Sequence, residues 1–351
     1  MSIELIKELS DAFGPSGFED EVCEIVKREL KDFKNLEEDT LRNIRCELKQ
    51  NSGKYTVMLD SHLDEVGLMV QAIKPNGTMN FVTLGGWSKI SLPGSKFNIK
   101  NTDGKLIESI VAIKPPHFMS AKEKEADISI SDMVLDCGAL DDKELKDYYK
   151  LKIASPGVPA SKCKYDEVKQ RFLVKAFDCR IGVATQIEIM KRLKDKELNI
   201  DVVSAFSSQE ELGARGIQNN VEKINPKLAI CFEGAPSDDT FMESYMVQAA
   251  LNKGPMLRHI DATMITNPRF LKYTIDLANK LNIPIQEGVR SGGGTDAKFI
   301  HIKDIPTIVI GIPVRYIHSS YGFVTLHDYK AAVDLAIALC ENLTEEIIDT
   351  F

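Results

Sequence analysis

The 351-residue chain has no basic block, no closely spaced cysteine pair and no long apolar stretch at its N-terminus. Lys and Arg number 44 against 52 Asp and Glu, a formal net charge of −8. Without a basic track for phosphates, nucleic acid is excluded as a general partner. The seven cysteines (Cys23, Cys46, Cys137, Cys163, Cys179, Cys231 and Cys340) are odd in number and scattered. That spacing excludes a zinc ribbon or a disulfide framework and predicts reduced thiols in a cytoplasmic protein. The opening Met1-Ser2-Ile3-Glu4-Leu5 carries an early acid, so neither a signal peptide nor a membrane span is expected. Internal repeats and low-complexity segments are also missing. What remains, 43% hydrophobic and 27% charged, is the composition of a soluble globular protein long enough for more than one domain.

The texture of the chain changes twice. Ser16-Gly17-Phe18-Glu19 has the spacing of a capping box, and Val22, Ile25, Val26 and Leu30 then recur at helical intervals. A strand pair is predicted from Arg45–Leu48 and Tyr55–Leu59. From about 70 to 160, short apolar runs are broken by Pro75-Asn76-Gly77, Gly85-Gly86, Pro93-Gly94 and Asp103-Gly104, as in a small β-rich domain. Pro156-Gly157-Val158-Pro159 marks its end. From Phe172 onward strands alternate with helices, such as Ile181–Leu193 and Tyr329–Leu343, the order of an α/β sheet. The expected organisation is therefore a catalytic domain over residues 1–68 and 160–351, interrupted by an inserted β-rich domain over 69–159.

Glu210 and Glu211 stand together after the apolar run Val202–Phe206, in Phe206-Ser207-Ser208-Gln209-Glu210-Glu211-Leu212-Gly213. A buried strand that delivers two charges into a turn needs a partner for them, and a metal suits best. One Glu can ligate it while its neighbour handles the proton of a bound water. Such pairs are more common on exposed helix starts, so this one needs company. His62 and Asp64 follow Tyr55–Leu59 and share one face of an extended chain, as a ligand imidazole and the carboxylate behind it would. Asp178 ends the run Phe172–Phe177, before Arg180 and a helix expected to start near Gly182. Glu233 follows Leu228–Phe232, and His318 follows Thr307–Gly311 and Pro313–Ile317. In open α/β sheets ligands gather at the carboxyl ends of strands. Each residue alone is more often structural; together they favour a metal.

The ordered segments Phe13-Gly14-Pro15-Ser16-Gly17-Phe18-Glu19, His62-Leu63-Asp64-Glu65-Val66-Gly67, Asp178-Cys179-Arg180, Gln209-Glu210-Glu211-Leu212-Gly213, Gly293-Gly294-Thr295-Asp296-Ala297 and Arg315-Tyr316-Ile317-His318-Ser319 resemble co-catalytic metal aminopeptidases of the tetrahedral (TET) type. Glutamyl and deblocking aminopeptidases belong to that family, and some members carry an endoglucanase label. The resemblance spans nearly the whole chain. It implies a mixed-sheet α/β metallopeptidase domain, with the insertion serving assembly and access. Two divalent metal ions per subunit follow from it, zinc first, cobalt or manganese as alternatives. The Asp178 carboxylate would bridge them, aimed by a cis Asp178–Cys179 peptide. His62 and Glu233 would complete one site, Glu211 and His318 the other. Glu210 would be the general base and Asp64 would orient His62. Two positions depart from the common pattern: Cys179 where Asn is frequent, and Glu233 where many members have Asp. The longer Glu233 would alter metal preference or denticity, and Asp238 and Asp239 lie close enough in sequence to be rival ligands.

The reading is a two-metal aminopeptidase that takes short peptides and assembles as a homo-oligomer, in the family a tetrahedral dodecamer. A metal-dependent deacylase or carboxypeptidase would share the site, and a silent assembly protein would share the fold but lose a ligand or the base. A glycan hydrolase needs two carboxylates and no metal. Elsewhere, Gly292-Gly293-Gly294-Thr295 suits an anion cradle or a tight turn. Arg290, Lys298 and Arg315 suit either an acid-selecting pocket or a solvated surface. His117, His259, His301 and His327 lack a strand-end context, and Trp87 is expected to pack the inserted domain.

Overall fold

The computed structural model describes residues 2–351; Met1 lies outside the described residues. The strands run in chain order as follows. First come β1 (Lys34–Glu38), β2 (Ile44–Glu47) and β3 (Thr56–His62). A second group follows: β4 (Gly67–Ile73), β5 (Met79–Leu84), β6 (Lys96–Lys100), β7 (Leu106–Ala112), β8 (Val134–Asp136) and β9 (Pro156–Pro159). The chain continues through β10 (Lys164–Asp166), β11 (Arg171–Val174), β12 (Asp201–Ser207) and β13 (Leu228–Pro236). It ends with β14 (Met256–Ile260), β15 (Gln286–Val289), β16 (Thr307–Val314) and β17 (Gly322–Thr325).

An eight-stranded mixed sheet takes the order β1-β2-β12-β3-β13-β16-β14-β15. Its centre, β12, β3, β13 and β16, is parallel. These strands are nearly continuous apolar runs because both of their faces are covered. Val57, Leu59, Leu228, Ile230 and Phe232 point into one core, under helices Ile3–Asp11, Asp20–Leu30, Phe177–Leu193 and Leu326–Asn342. Met58, Ala205, Ala229 and Cys231 point to the other side, under Arg215–Ile224 and Ala297–His301. Strands β10, β11 and β17 form a separate small sheet.

Strands β4 to β9 close an antiparallel barrel, ordered β4-β5-β8-β7-β6-β9. Alternating inward residues, among them Leu68, Val70, Phe81, Phe97, Ile99 and Leu135, give it a core of its own. Trp87 packs there, 5.4 Å from the Phe97 ring, and donates its indole N–H to the Gly67 carbonyl at 3.1 Å. The fold class is thus α/β, a mixed sheet with an inserted small β-barrel, as the sequence led us to expect.

Two local expectations are corrected. The strands predicted to pair near Arg45 and Tyr55 do not touch as neighbours, because β12 lies between β2 and β3. Ser16 and Glu19 form no capping box. The helix begins at Asp20 without a side-chain cap, and Ser16 donates instead to Asp64 Oδ2 at 2.5 Å.

A buried ionic cluster ties the N-terminal segment to this framework. Arg180, fully buried, spends its five N–H donors on the carbonyls of Leu63, Leu9, Ala12 and Gly14 and on Glu65. Lys175 Nζ meets Glu65 at 2.6 and 2.8 Å and the Ala12 carbonyl at 3.0 Å. Removing one charge from such a cluster leaves the others uncompensated in a dry site. Glu65→Gln should therefore cost about 3–5 kcal/mol of unfolding free energy. Denaturant titration of the purified protein measures this, and an unshifted midpoint would contradict it.

Candidate metal centre

Parallel pairing of β3 with β13 sets Cys231 beside Asp60. Two residues further along each strand, His62 and Glu233 therefore emerge on the same face. His62 Nε2 lies 3.1 Å from Glu233 Oε1 and 3.3 Å from Asp178 Oδ1. The other oxygen of Asp178 lies 3.1 Å from His318 Nε2, which is 3.3 Å from Glu211 Oε1. Two clusters of potential ligand atoms result, each within 4.8 Å: His62, Asp178, Cys179 and Glu233, and Asp178, Glu211 and His318. Asp178 belongs to both. All five residues expected as ligands converge.

The route by which they converge differs from expectation in two respects. Asp178 does not end a strand of the main sheet. It follows β11, in the small sheet, and sits within helix Phe177–Leu193, which starts earlier than Gly182. Asp178 and Cys179 depart from helical backbone angles, and their peptide bond is cis. Glu233 lies inside β13 rather than at its end, since that strand continues to Pro236.

Asp238 and Asp239 are not rival ligands. Asp238 accepts from Arg290 at 2.8 Å and from the amides of Gln248 and Ala249. Asp239 takes a two-pronged contact from Arg315 at 2.8 and 2.7 Å. Both arginines considered for an acid-selecting pocket are thereby neutralised, and Lys298 lies over the Phe299 ring.

Asp64 organises the centre from behind. Its Oδ1 lies 3.3 Å from His62 Nδ1, and it accepts the N–H groups of Glu210 at 2.9 Å and Glu211 at 3.2 Å. Burial works against its ionisation. His62, Ser16 and the Glu210 amide nevertheless hold its pKa below the ordinary value. The same balance operates on Asp178, where burial is outweighed by His318 and His62. Burial lowers His318, yet Asp178 and Glu211 bring it up to about 11. For Glu210 burial dominates, with Glu211, Asp64 and Asp178 adding repulsion, and its pKa rises to about 8. Burial likewise pushes Glu233 far up.

These donors fit divalent cations. Three carboxylates and two imidazoles make a nitrogen–oxygen set suited to zinc or its neighbours. Glu211 Oε1 is buried and, beyond the His318 imidazole at 3.3 Å, meets no hydrogen-bond donor among the described residues. The loop after β5 is shaped around it: a Cβ at Gly85, where φ is +82°, would meet Glu211 Oε2 at 2.9 Å. A Cβ at Gly86 would lie 3.3 Å from His318 Nδ1. The barrel therefore supplies one wall of the centre.

Cys179 is the member that sequence reasoning set aside. Its Sγ lies among the first cluster, but the thiol donates to the Phe232 carbonyl at 3.1 Å. Ser16 and Glu19 were also missed as site residues, because their spacing imitates a helix cap.

Residues 42–335 match the family described as M42 glutamyl aminopeptidase. The glutamyl aminopeptidase of Lactococcus lactis is 29% identical over 348 residues, covering 97% of this chain and 96% of the relative. The crystal structure of a TET aminopeptidase from a marine sediment Thaumarchaeota archaeon has a TM-score of 0.95 at 33% identity, covering 99% and 98%. A Pyrococcus horikoshii TET1 peptidase, which can assemble into a tetrahedron or a large octahedral shell, has a TM-score of 0.86 at 29% identity over 97% and 99%. With likeness in sequence and fold extending over almost all of its length, the chain belongs to the M42 glutamyl aminopeptidase family and is an aminopeptidase, a hydrolase of peptide N-termini.

Proposed function

We propose that catalysis uses two divalent ions, one held by His62 and Glu233, one by Glu211 and His318, with Asp178 shared between them. One observation carries this reading: the two oxygens of Asp178 face different imidazoles, at 3.3 and 3.1 Å. Zinc suits the donor set, with cobalt or manganese as alternatives. Bound there, the ions would supply Lewis acidity to the scissile carbonyl and lower the pKa of a water to about 7. The remaining work falls to the chain's own groups. Glu210 acts as general base: its carboxylate takes a proton from the attacking water and returns it to the departing amine. Asp64 fixes the orientation of His62 through Nδ1, so that Nε2 faces the centre. Cys179 stays outside the ligand set, with its proton engaged by Phe232.

Chelation should abolish peptide hydrolysis, and one of the three metals should restore it. Glu210→Gln should lower turnover by about 10²–10⁴-fold while metal content is unchanged. Asp178→Asn should lose metal and activity together, and Cys179→Ala should keep both. Elemental analysis beside aminoacyl-substrate kinetics reads all three; full metal occupancy in Asp178→Asn would remove the shared ligand.

We further infer that residues 69–159 form an inserted domain that carries subunit contacts and limits access to a centre built from 1–68 and 160–351. The wall made by Gly85 and Gly86 supports the second role. Assembly into a closed homo-oligomer, a tetrahedron by analogy with the Pyrococcus horikoshii peptidase and a dodecamer by analogy with the PhTET1-12s structure, would admit unfolded peptides and exclude folded domains. A cytoplasmic location is favoured by seven free cysteines, five of them buried, and no described helix is long and apolar enough to cross a membrane. Light scattering should report a mass many times the 39.1 kDa of one chain, with short peptides cleaved and folded proteins spared. A monomeric mass with full activity would reject the compartment.

A further inference from the structure

The loop that carries Glu210 has an unusual attachment. Four consecutive backbone N–H groups after β12 are each accepted by a side chain from a distant segment. Ser208 donates to Asn43 Oδ1 at 2.9 Å, and Gln209 to Glu19 Oε1 at 3.2 Å. Glu210 and Glu211 donate to the two oxygens of Asp64. Gln209 is the residue where the chain turns, with φ +55° in the left-handed region that a non-glycine residue enters only when its surroundings enforce it.

Glu19 is a costly way to hold one amide. It is fully buried, and its Oε2 has no hydrogen-bond partner among the described residues. Oε1 also accepts the Gly17 N–H at 2.8 Å, which fixes the side chain at its root. Among the described residues no cation pairs with it, in contrast to Glu65, which meets Lys175 and Arg180. Through Oε1 the side chain spans from the N-terminal turn to the residue before Glu210, and that reach fixes where the loop stands.

We infer that Glu19 is a positioning residue for the reaction: through the Gln209 amide it locks the turn that aims the Glu210 carboxylate. This rests on the reading of Glu210 as general base. The acceptor oxygen and its reach matter, not the bulk of the side chain. A misplacement of about 1 Å in a reacting group can cost about 10²-fold in rate.

Three substitutions separate reach from charge and from folding. Glu19→Gln keeps an oxygen at the same distance, and kcat should stay within about tenfold of the native enzyme, since a neutral acceptor bonds about half as strongly as an ionised one. Glu19→Asp keeps the charge but withdraws the oxygen by one methylene, and kcat should fall about 10²-fold. Glu19→Ala should match Glu19→Asp wherever it folds. KM and metal content should change little in any of the three, and the pH dependence of kcat should keep its shape while losing amplitude. Thermal unfolding of each variant is measured alongside. An Asp variant as active as, or more active than, the Gln variant would overturn the assignment, as would loss of metal or a rise in KM that accounts for the defect. Glu210→Gln belongs in the same series: near-native turnover there would mean that the base is wrongly assigned, whatever Glu19 does.

Discussion

Buried carboxyl groups gather around the centre, and the rest of it is arranged to tolerate them. Glu19, Asp60, Asp64, Glu65 and Glu233 are buried, and Asp178, Glu210 and Glu211 lie beside them. An ionised carboxylate away from water is unfavourable unless a donor or a cation meets it. Three of them find different answers. Glu65 has Lys175 and Arg180, Asp64 has His62, a hydroxyl and two backbone amides, and Asp178 has two imidazoles. Glu211 Oε1 has only the His318 imidazole at 3.3 Å and accepts no hydrogen bond among the described residues, and burial raises the pKa of Glu233. At Glu211 and Glu233 a cation would supply the positive charge that the surrounding protein supplies only in part.

The two-face burial of the sheet and the placement of these groups share one origin. Alternation along β3 sends Val57 and Leu59 to one core while Met58 and Asp60 face the other side. The same alternation carries His62 out on the face of Asp60, beside Glu233 from the neighbouring strand. Register alone thereby brings one imidazole and one carboxylate together. The second cluster has no such help. Glu211 and His318 come from loops, and they are backed by the barrel through Gly85 and Gly86. A barrel that folds around its own core can hold those glycines rigidly against the sheet domain, which a mobile loop could not.

Much of this was legible in the sequence because it depends on local pattern. Apolar runs ending in His62 and Glu211 read directly as strands delivering polar groups. Glu233 was found by the same signal, although its strand continues past it. The errors have physical causes. Strand neighbours depend on β12, some 140 residues beyond β3, and no local pattern reports that β12 inserts between β2 and β3. Ser16 and Glu19 have the spacing of a cap, but a hydroxyl that can reach a buried carboxylate satisfies that greater need first. Asp238 and Asp239 looked available to a metal only because their arginine partners, Arg290 and Arg315, lie 52 and 76 residues away.

Three adjacent residues show how the parts are held in common. Asp178 presents its carboxylate to both imidazoles. Cys179 holds the carbonyl of Phe232, the residue before Glu233. Arg180 holds the carbonyl of Leu63, the residue before Asp64, together with the N-terminal segment that supplies Ser16 and Glu19. Strand β13, the loop after β3 and the N-terminal turn are therefore all tied to one short stretch of backbone at the start of a buried helix. Asp64 and Glu19 then pass that reference to Glu210 and Glu211 through three successive amides. Groups fixed to a common origin cannot drift independently, and that shared origin is what would keep the proposed base and its neighbouring proposed ligands in register.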